Sequence, residues 1–266
     1  MKIELVSHCY AKNLPHFAAC LCFQASSILK DQPKNCEVEL GVWTTMDDML
    51  TIDVAAYFQE IFDETANIKL EINTLEPEKL WKRCIGRNLA AKYTDADIVW
   101  FTDVDHCFQD GIFDSIAEMV NQKRWPYWGP DPNGGLSTYC PSRARMIYPK
   151  RIMIQESHEV GDARLAGVIS MIYGNNHRDA MLDKSEFVQM KYNRAIGGVQ
   201  IVEGDYAREH GYLDNTKWQS PVDTPFPSFR DDVKYRKQCK QRGEVIGVDL
   251  PGVYRLRHSE TTYQGK

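Results

Sequence analysis

Four consecutive apolar residues, Ile98-Val-Trp-Phe101, run directly into Thr102-Asp103-Val104-Asp105. A short unbroken apolar run bounded by polar residues is the pattern of a strand buried on both faces, as in a parallel sheet. The residues ahead of it alternate between two periods. Lys2–Ser7, Glu37–Trp43 and Ile68–Ile72 read as strands. Between them, apolar residues at helical spacing run through Phe17, Leu21 and Ile28, then through Leu50, Val54, Phe58 and Ile61. Asn13 is placed to cap the first of these helices, and Thr45 or Asp47 the second. A third helix is expected from Pro77 to Tyr93, with Trp81, Cys84, Ile85 and Leu89 on its apolar stripe. The order β-α-β-α-β-α-β predicts an α/β fold, with a mostly parallel central sheet flanked by helices.

Beyond His106 the pattern loosens. Ile112–Val120 suits a short helix, and Trp125–Gly135 is dense in aromatics, proline and glycine. From Leu136 to about Asn193 the periodicity is weak, which predicts loops with a helix near Ala163–Met171. Regularity returns at Ile196–Val202, a strand entered through Gly197 and Gly198, followed by a short helix over Gly204–Gly211. Ser228–Gly243 reads as a charged helix, and Val245–Val248 and Val253–Leu256 as short strands.

Composition removes several function classes. A formal charge of −5 provides no basic field to gather nucleic acid. Nothing approaches the ~18 apolar residues of a membrane span, so no integral membrane segment is expected. Met1–Ser7 turns polar too soon for a signal-peptide core. The eight cysteines form no Cys-x-x-Cys pair, which predicts reduced core thiols in a cytoplasmic protein.

Ligands of open α/β sheets bind outside the carboxyl ends of the strands, where Asp103 and Asp105 emerge. Two carboxylates there make a hard oxygen site for manganese or magnesium; alternatively they belong to a solvated acidic loop. Ser7 ends the first strand beside the same crevice. Asn88 lies on an apolar helix stripe next to Arg87, so it either makes a core hydrogen bond or projects with Arg87 into the crevice. Ser228-x-x-Asp231 fits a capping box, which leaves Asp232 available as a base at a helix start. His258 follows Arg255 and Arg257. If this end folds back near Asp105, the imidazole completes a metal shell and the arginines meet phosphate; otherwise they pair with surface acids. Gly197-Gly198 either admits a ligand to the backbone or forms a bulge.

In order along positions 2 to 258, four motifs resemble those of the GT-A fold nucleotide-sugar glycosyltransferases, in particular family 2 and its relatives. Gly86-Arg-Asn-Leu-Ala-Ala is similar to the helix segment preceding the metal motif, and Asp103-Val-Asp105 to the DxD motif itself. Ile196-Gly-Gly-Val through Gly211-Tyr-Leu-Asp214 is similar to the acceptor-side segment, and Asp231-Asp232 with its basic helix to the acidic segment that carries the base. The resemblance implies a single GT-A domain over 1–266, with a Rossmann-like nucleotide-binding half (1–106) and an acceptor and catalytic half (107–266). It implies a nucleoside-diphosphate sugar donor, UDP-linked, held through a divalent cation, manganese preferred or magnesium. Ser7, Arg87, Asn88, Asp103, Val104 and Gly198 would contact the donor. Asp103, Asp105 and His258 would hold the metal. Asp232, with Asp231 beside it, would deprotonate an acceptor hydroxyl of unknown identity in an inverting displacement. The chain departs from the pattern in having Asp-Asp in place of Glu-Asp, Arg236 at an unusual distance and Asn215 as the second residue of the acceptor pair. Lacking an anchor or second domain, it would be a minimal soluble enzyme.

Asp-x-Asp after an apolar strand also occurs in haloacid-dehalogenase-like phosphatases, with Asp103 then a nucleophile and Asp105 an acid. Those enzymes place the motif on the first strand, whereas three strands precede it here. A nucleotidyltransferase and a non-catalytic sugar-binding module are the remaining alternatives.

Overall fold

The strand Lys2–His8 (β1) is an interior strand of an eight-stranded sheet in the computed structural model, which describes residues 1–12, 14–121, 127–128, 142–156, 167–168, 170, 180–213 and 231–258. β1 pairs in parallel with β2 (Glu37–Thr44) on one side and β4 (Ile98–Phe101) on the other. β3 (Ile68–Thr74) continues the parallel set beyond β2. All four residues of β4 are buried, as its unbroken apolar run requires of a central strand covered on both faces.

The helices α1 (His16–Lys30) and α2 (Met49–Asp63) connect these strands. α1 buries eleven of its residues, from Ala18 through Ile28, so it is a core helix. Asp48 caps α2, its side chain accepting from Thr51 N at 3.3 Å. The expected caps, Thr45 and Asp47, bond to each other instead, at 2.5 Å. Asn13, expected to cap α1, lies outside the described residues. The helix expected over Pro77–Tyr93 is two: α3 (Pro77–Leu80) and α4 (Arg83–Tyr93), separated where Lys82 leaves helical geometry. At the break Trp81 packs edge-on against Tyr10.

Past β4, the strand β5 (His106–Phe108) and helix α5 (Ile112–Asn121) follow. The weakly patterned region also holds strands, which its sequence did not announce. β6 (Tyr127–Trp128) pairs with β7 (Ser142–Pro149), and β8 (Arg151–Gln155) and β9 (Phe187–Lys191) come after. The helix expected near 163–171 falls largely outside the described residues. β7 is interior and β9 is an edge strand with four of five residues exposed, so neither shows clean alternation. β10 (Gln200–Glu203) runs antiparallel between β4 and β7, and β11 (Glu244–Val248) extends the sheet in parallel with β7. The central sheet therefore runs through both halves of the chain. A second, four-stranded sheet in the order β5-β12-β8-β9 includes β12 (Val253–Arg255). Helices α6 (Gly204–His210) and α7 (Asp231–Arg242) complete the fold. Gly211 ends α6 with φ +65°, in the left-handed region that glycine adopts without strain.

Seven described cysteines are buried free thiols. Among the described residues, no helix is long and apolar enough to cross a membrane.

Candidate active site

Asp103 and Asp105 stand on a short turn between β4 and β5 whose backbone is tied down on three sides. His106 N donates to Asp103 O at 3.1 Å. From α1, the buried Gln24 amide donates to Asp103 O and His106 O, at 3.1 and 2.9 Å. From the chain end, Leu256 N donates to Asp105 O at 2.8 Å. The β5–β12 pairing creates this last contact, setting Arg255 opposite His106 in register. The final strand does fold back onto the acidic turn.

Arginines from α4 meet Asp103. Arg83 Nη1 and Arg87 Nη2 lie 2.7 and 2.8 Å from the same oxygen, Oδ1. The two are four residues apart and so share one helix face. Arg87 is buried, and Nη2 also donates to Thr102 O at 2.9 Å. Its Nη1 donates to the Tyr212 hydroxyl at 3.0 Å, and that hydroxyl donates to Gln200 Oε1 at 2.9 Å. Gln200 Nε2 then donates to the carbonyl of Asp232 at 2.9 Å. A continuous polar chain thus links the Asp103 turn to the first turn of α7. Burial pushes the Asp103 carboxyl upward, but Arg83 and Arg87 outweigh it and hold the group below its usual range.

Asp105 is more enclosed, at 5% exposure. Its Oδ2 accepts from Arg255 Nε at 2.9 Å, with His258 Nε2 at 3.8 Å from the same oxygen. Its Oδ1 is 2.7 Å from His106 Nδ1 but outside hydrogen-bond geometry, so both are buried polar atoms lacking such a bond. Burial raises this carboxyl too; His106, His258 and Arg255 together hold it well below the usual range. His258 is wedged between His16 and Phe17, with ring centroids at 5.0 and 5.2 Å.

Ligand atoms of Asp103, Asp105 and His106 all lie within 4.8 Å of one another. Two ionised carboxylates at that separation, one with an unbonded buried oxygen, fit a hard divalent cation such as manganese or magnesium.

The glycine pair forms the opposite wall. A Cβ on Gly197 would sit 3.6 Å from Asp103 Oδ2 and 3.5 Å from Asp232 Cβ, so Asp103 and Asp232 face each other across it. A Cβ on Gly198 would collide with the His106 ring, and the Gly198 carbonyl accepts from Trp100 Nε1 at 3.3 Å. Asp231 turns the other way, toward Cys84 on α4, and helps burial push that thiol up to about 12. Ser228, its expected capping partner, lies outside the described residues. Ser7, next to last in β1, is fully buried and its hydroxyl has no hydrogen-bond partner among the described residues, and Val104 is buried, leaving only its backbone for a ligand. Asn88 makes a core hydrogen bond, accepting from Tyr212 N at 3.1 Å beneath Gly211. Arg257, expected with Arg255 near phosphate, instead meets Gln155 and Glu156 on β8 and its end.

Sequence reasoning missed Arg83, His106, Gln200 and Tyr212. Arg83 was legible as the i−4 neighbour of Arg87. His106 stood directly beside Asp105 in the sequence. Gln200 and Tyr212 had no local signal, because Asp232 and Arg87, which they bond, lie far away in sequence.

No family model and no curated protein matches the chain. Solved structures do. TarS residues 1–349 from S. aureus align over 96% of this chain and 60% of theirs, at 13% identity and a TM-score of 0.51. A mannosyltransferase from Pyrobaculum calidifontis, solved with GDP-Man and Mn2+, aligns over 97% of this chain and 58% of its own, at 13% identity and TM-score 0.51. TarS 1–349 in complex with UDP aligns at 11% identity and TM-score 0.51. The chain thus spans about three-fifths of these structures. At such identities the likeness concerns architecture, and the architecture is the GT-A fold expected from the motifs.

Proposed function

We propose that the chain is a metal-dependent glycosyltransferase that moves a sugar from a nucleoside-diphosphate sugar, UDP-linked, to an acceptor hydroxyl with inversion. The observation that carries this reading is the convergence of Asp103 and Asp232 on Gly197, with Asp105 and His106 clustered beside Asp103, at the carboxyl end of β4 in a GT-A fold. Asp103, Asp105 and a histidine, His106 or His258, would hold a divalent cation, manganese or magnesium, which when bound neutralises charge on the departing diphosphate. Arg83, half exposed above Asp103, supplies a second positive group on the phosphate side. Ser7, Arg87, Asn88, Val104 and Gly198 form or support the donor wall. Asp232, across Gly197 from Asp103, accepts the proton of the acceptor hydroxyl as its oxygen bonds to the anomeric carbon and the bond to diphosphate breaks. Asp231 supports the start of α7.

A phosphatase reading would require Asp103 as nucleophile. Two arginines already share its Oδ1, which disfavours attack from that oxygen. The test is a panel of nucleoside-diphosphate sugars with Mn2+, read by release of the nucleoside diphosphate. Metal-dependent release from one donor supports a transferase. Release of inorganic phosphate from simple phosphoesters, with no turnover of any donor, overturns it.

A further inference from the structure

Arg255 holds one of the two oxygens of Asp105, the carboxylate beside which a cation would sit. Its Nε donates to Asp105 Oδ2 at 2.9 Å, and Asp105 also draws His106 to 2.7 Å and His258 to 3.8 Å. Three cationic or potentially cationic groups thus surround one buried carboxylate, and a divalent ion brought among them meets strong like-charge repulsion. Arg255 differs from the other two in being able to leave. It is the last residue of β12 and its side chain is 37% exposed, whereas His106 is 1% exposed beneath Gly198 and His258 is fixed against His16 and Phe17. Among the described residues, its two Nη atoms make no hydrogen bond, so the face of the guanidinium suited to a bidentate anion contact is open.

On the reading of the site as a nucleotide-sugar centre, we propose that Arg255 is an exchangeable counter-ion. It neutralises Asp105 before the cation arrives, then passes to the donor's diphosphate oxygens once the cation neutralises that carboxylate in its place. Cation and diphosphate would each remove an obstacle to the other, so their affinities are coupled beyond their direct attraction. Linkage makes that coupling reciprocal: the factor by which diphosphate tightens the cation equals the factor by which the cation tightens diphosphate. Arg83 cannot substitute, since it neutralises Asp103 on the other side of the turn.

The test is a binding cycle with Mn2+ and UDP, read by calorimetry and by the Mn2+ electron paramagnetic resonance signal, on wild type, Arg255→Gln and Arg255→Lys. Without UDP, Arg255→Gln binds Mn2+ about threefold to tenfold more tightly than wild type, the scale set by a partly exposed ion pair. With UDP present that advantage disappears and UDP itself binds more weakly. Arg255→Lys, which keeps the charge, stays close to wild type for Mn2+ alone. A thermal melt confirms that each variant is folded. A purely supporting role for Arg255 predicts the opposite sign: weaker Mn2+ binding in Arg255→Gln without UDP. That result, or unchanged Mn2+–UDP coupling, overturns the exchange. Absence of Mn2+ binding by wild type itself overturns the metal-centre reading, and the exchange with it.

Discussion

The guanidinium of Arg87 joins Asp103 to Tyr212, 2.8 Å from the carboxylate oxygen and 3.0 Å from the phenol. Through Tyr212 and Gln200 it carries the position of the metal-motif turn across to the helix start bearing Asp232. It also lies over the Tyr212 ring, 5.4 Å from the centroid.

Removing that guanidinium leaves a half-buried carboxylate short of one cation and takes one donor each from the Tyr212 hydroxyl and the Thr102 carbonyl. Arg87→Ala is therefore expected to destabilise the protein by about 3 kcal/mol, as breaking a buried pair by deleting one partner does. Urea denaturation measures it. Arg83→Ala deletes a half-exposed partner of the same oxygen and should change stability by less than about 1 kcal/mol.

Gly211 sits at φ +65°, and a Cβ there would also collide with Asn88 Oδ1. Gly211→Ala combines backbone strain with loss of the Asn88–Tyr212 hydrogen bond, and about 2 kcal/mol of stability is expected to go. Gly204→Ala, where a Cβ would meet the Ala96 carbonyl, is a comparison with ordinary backbone angles. If Gly211→Ala is as stable as wild type in thermal unfolding, the role given to this turn is wrong.

Glu4 on β1 faces Glu39, its register partner on β2, in a cavity also lined by Lys2, Glu71 and Tyr93. Burial, with Glu39 and Glu71 nearby, pushes its carboxyl up to about 7 from 4.5, against a hydrogen bond from Thr94 that favours the ionised form. The folded state thus binds a proton that the unfolded chain has already released between these values. This contribution to stability is full below about pH 4.5 and is lost as pH rises through about 7, by up to about 3 kcal/mol. Glu4→Gln should be more stable than wild type at pH 8 and match it near pH 5. Denaturant midpoints at the two pH values give the answer, and equal differences at both would contradict it.

Asp232 faces Asp103 across Gly197 and, among the described residues, is bonded to the network only through its backbone carbonyl. Asp232→Asn should therefore leave Mn2+ and donor binding within about twofold of wild type. Loss of a positioned base lowers transfer by about 10²–10⁴-fold. Single-turnover transfer measured beside donor calorimetry separates the two effects. Normal transfer by the variant removes Asp232 from the base role.

The first hundred residues were legible because each strand and helix carries its own period, and Ile98–Phe101 announces a central strand by composition alone. The break at Trp81–Lys82 was invisible, since the apolar stripe continues through it while Trp81 turns to Tyr10. Val253–Leu256 was legible as a short strand, but the three-residue β5 was not, and it is their pairing that brings Arg255 and His258 to Asp105. Asp103, Asp105 and Asp232 were legible as acids at element boundaries. Arg87 and Asn88 were legible as polar residues on a buried stripe, but their division of labour was not. Only the position of Tyr212, 125 residues after Arg87, shows one reaching Asp103 and the other fastening a loop.

The central claim is that the Asp103–Asp105 turn binds a nucleoside-diphosphate sugar through a divalent cation. Calorimetric titration of UDP-sugars and GDP-sugars into the protein, with Mn2+ and then with the metal removed by chelation, tests it most directly. The account predicts saturable binding of at least one donor with Mn2+, its loss on chelation, and its loss in Asp105→Asn with the fold intact by circular dichroism. Donor binding of equal strength with and without metal, or none under either condition, would contradict it.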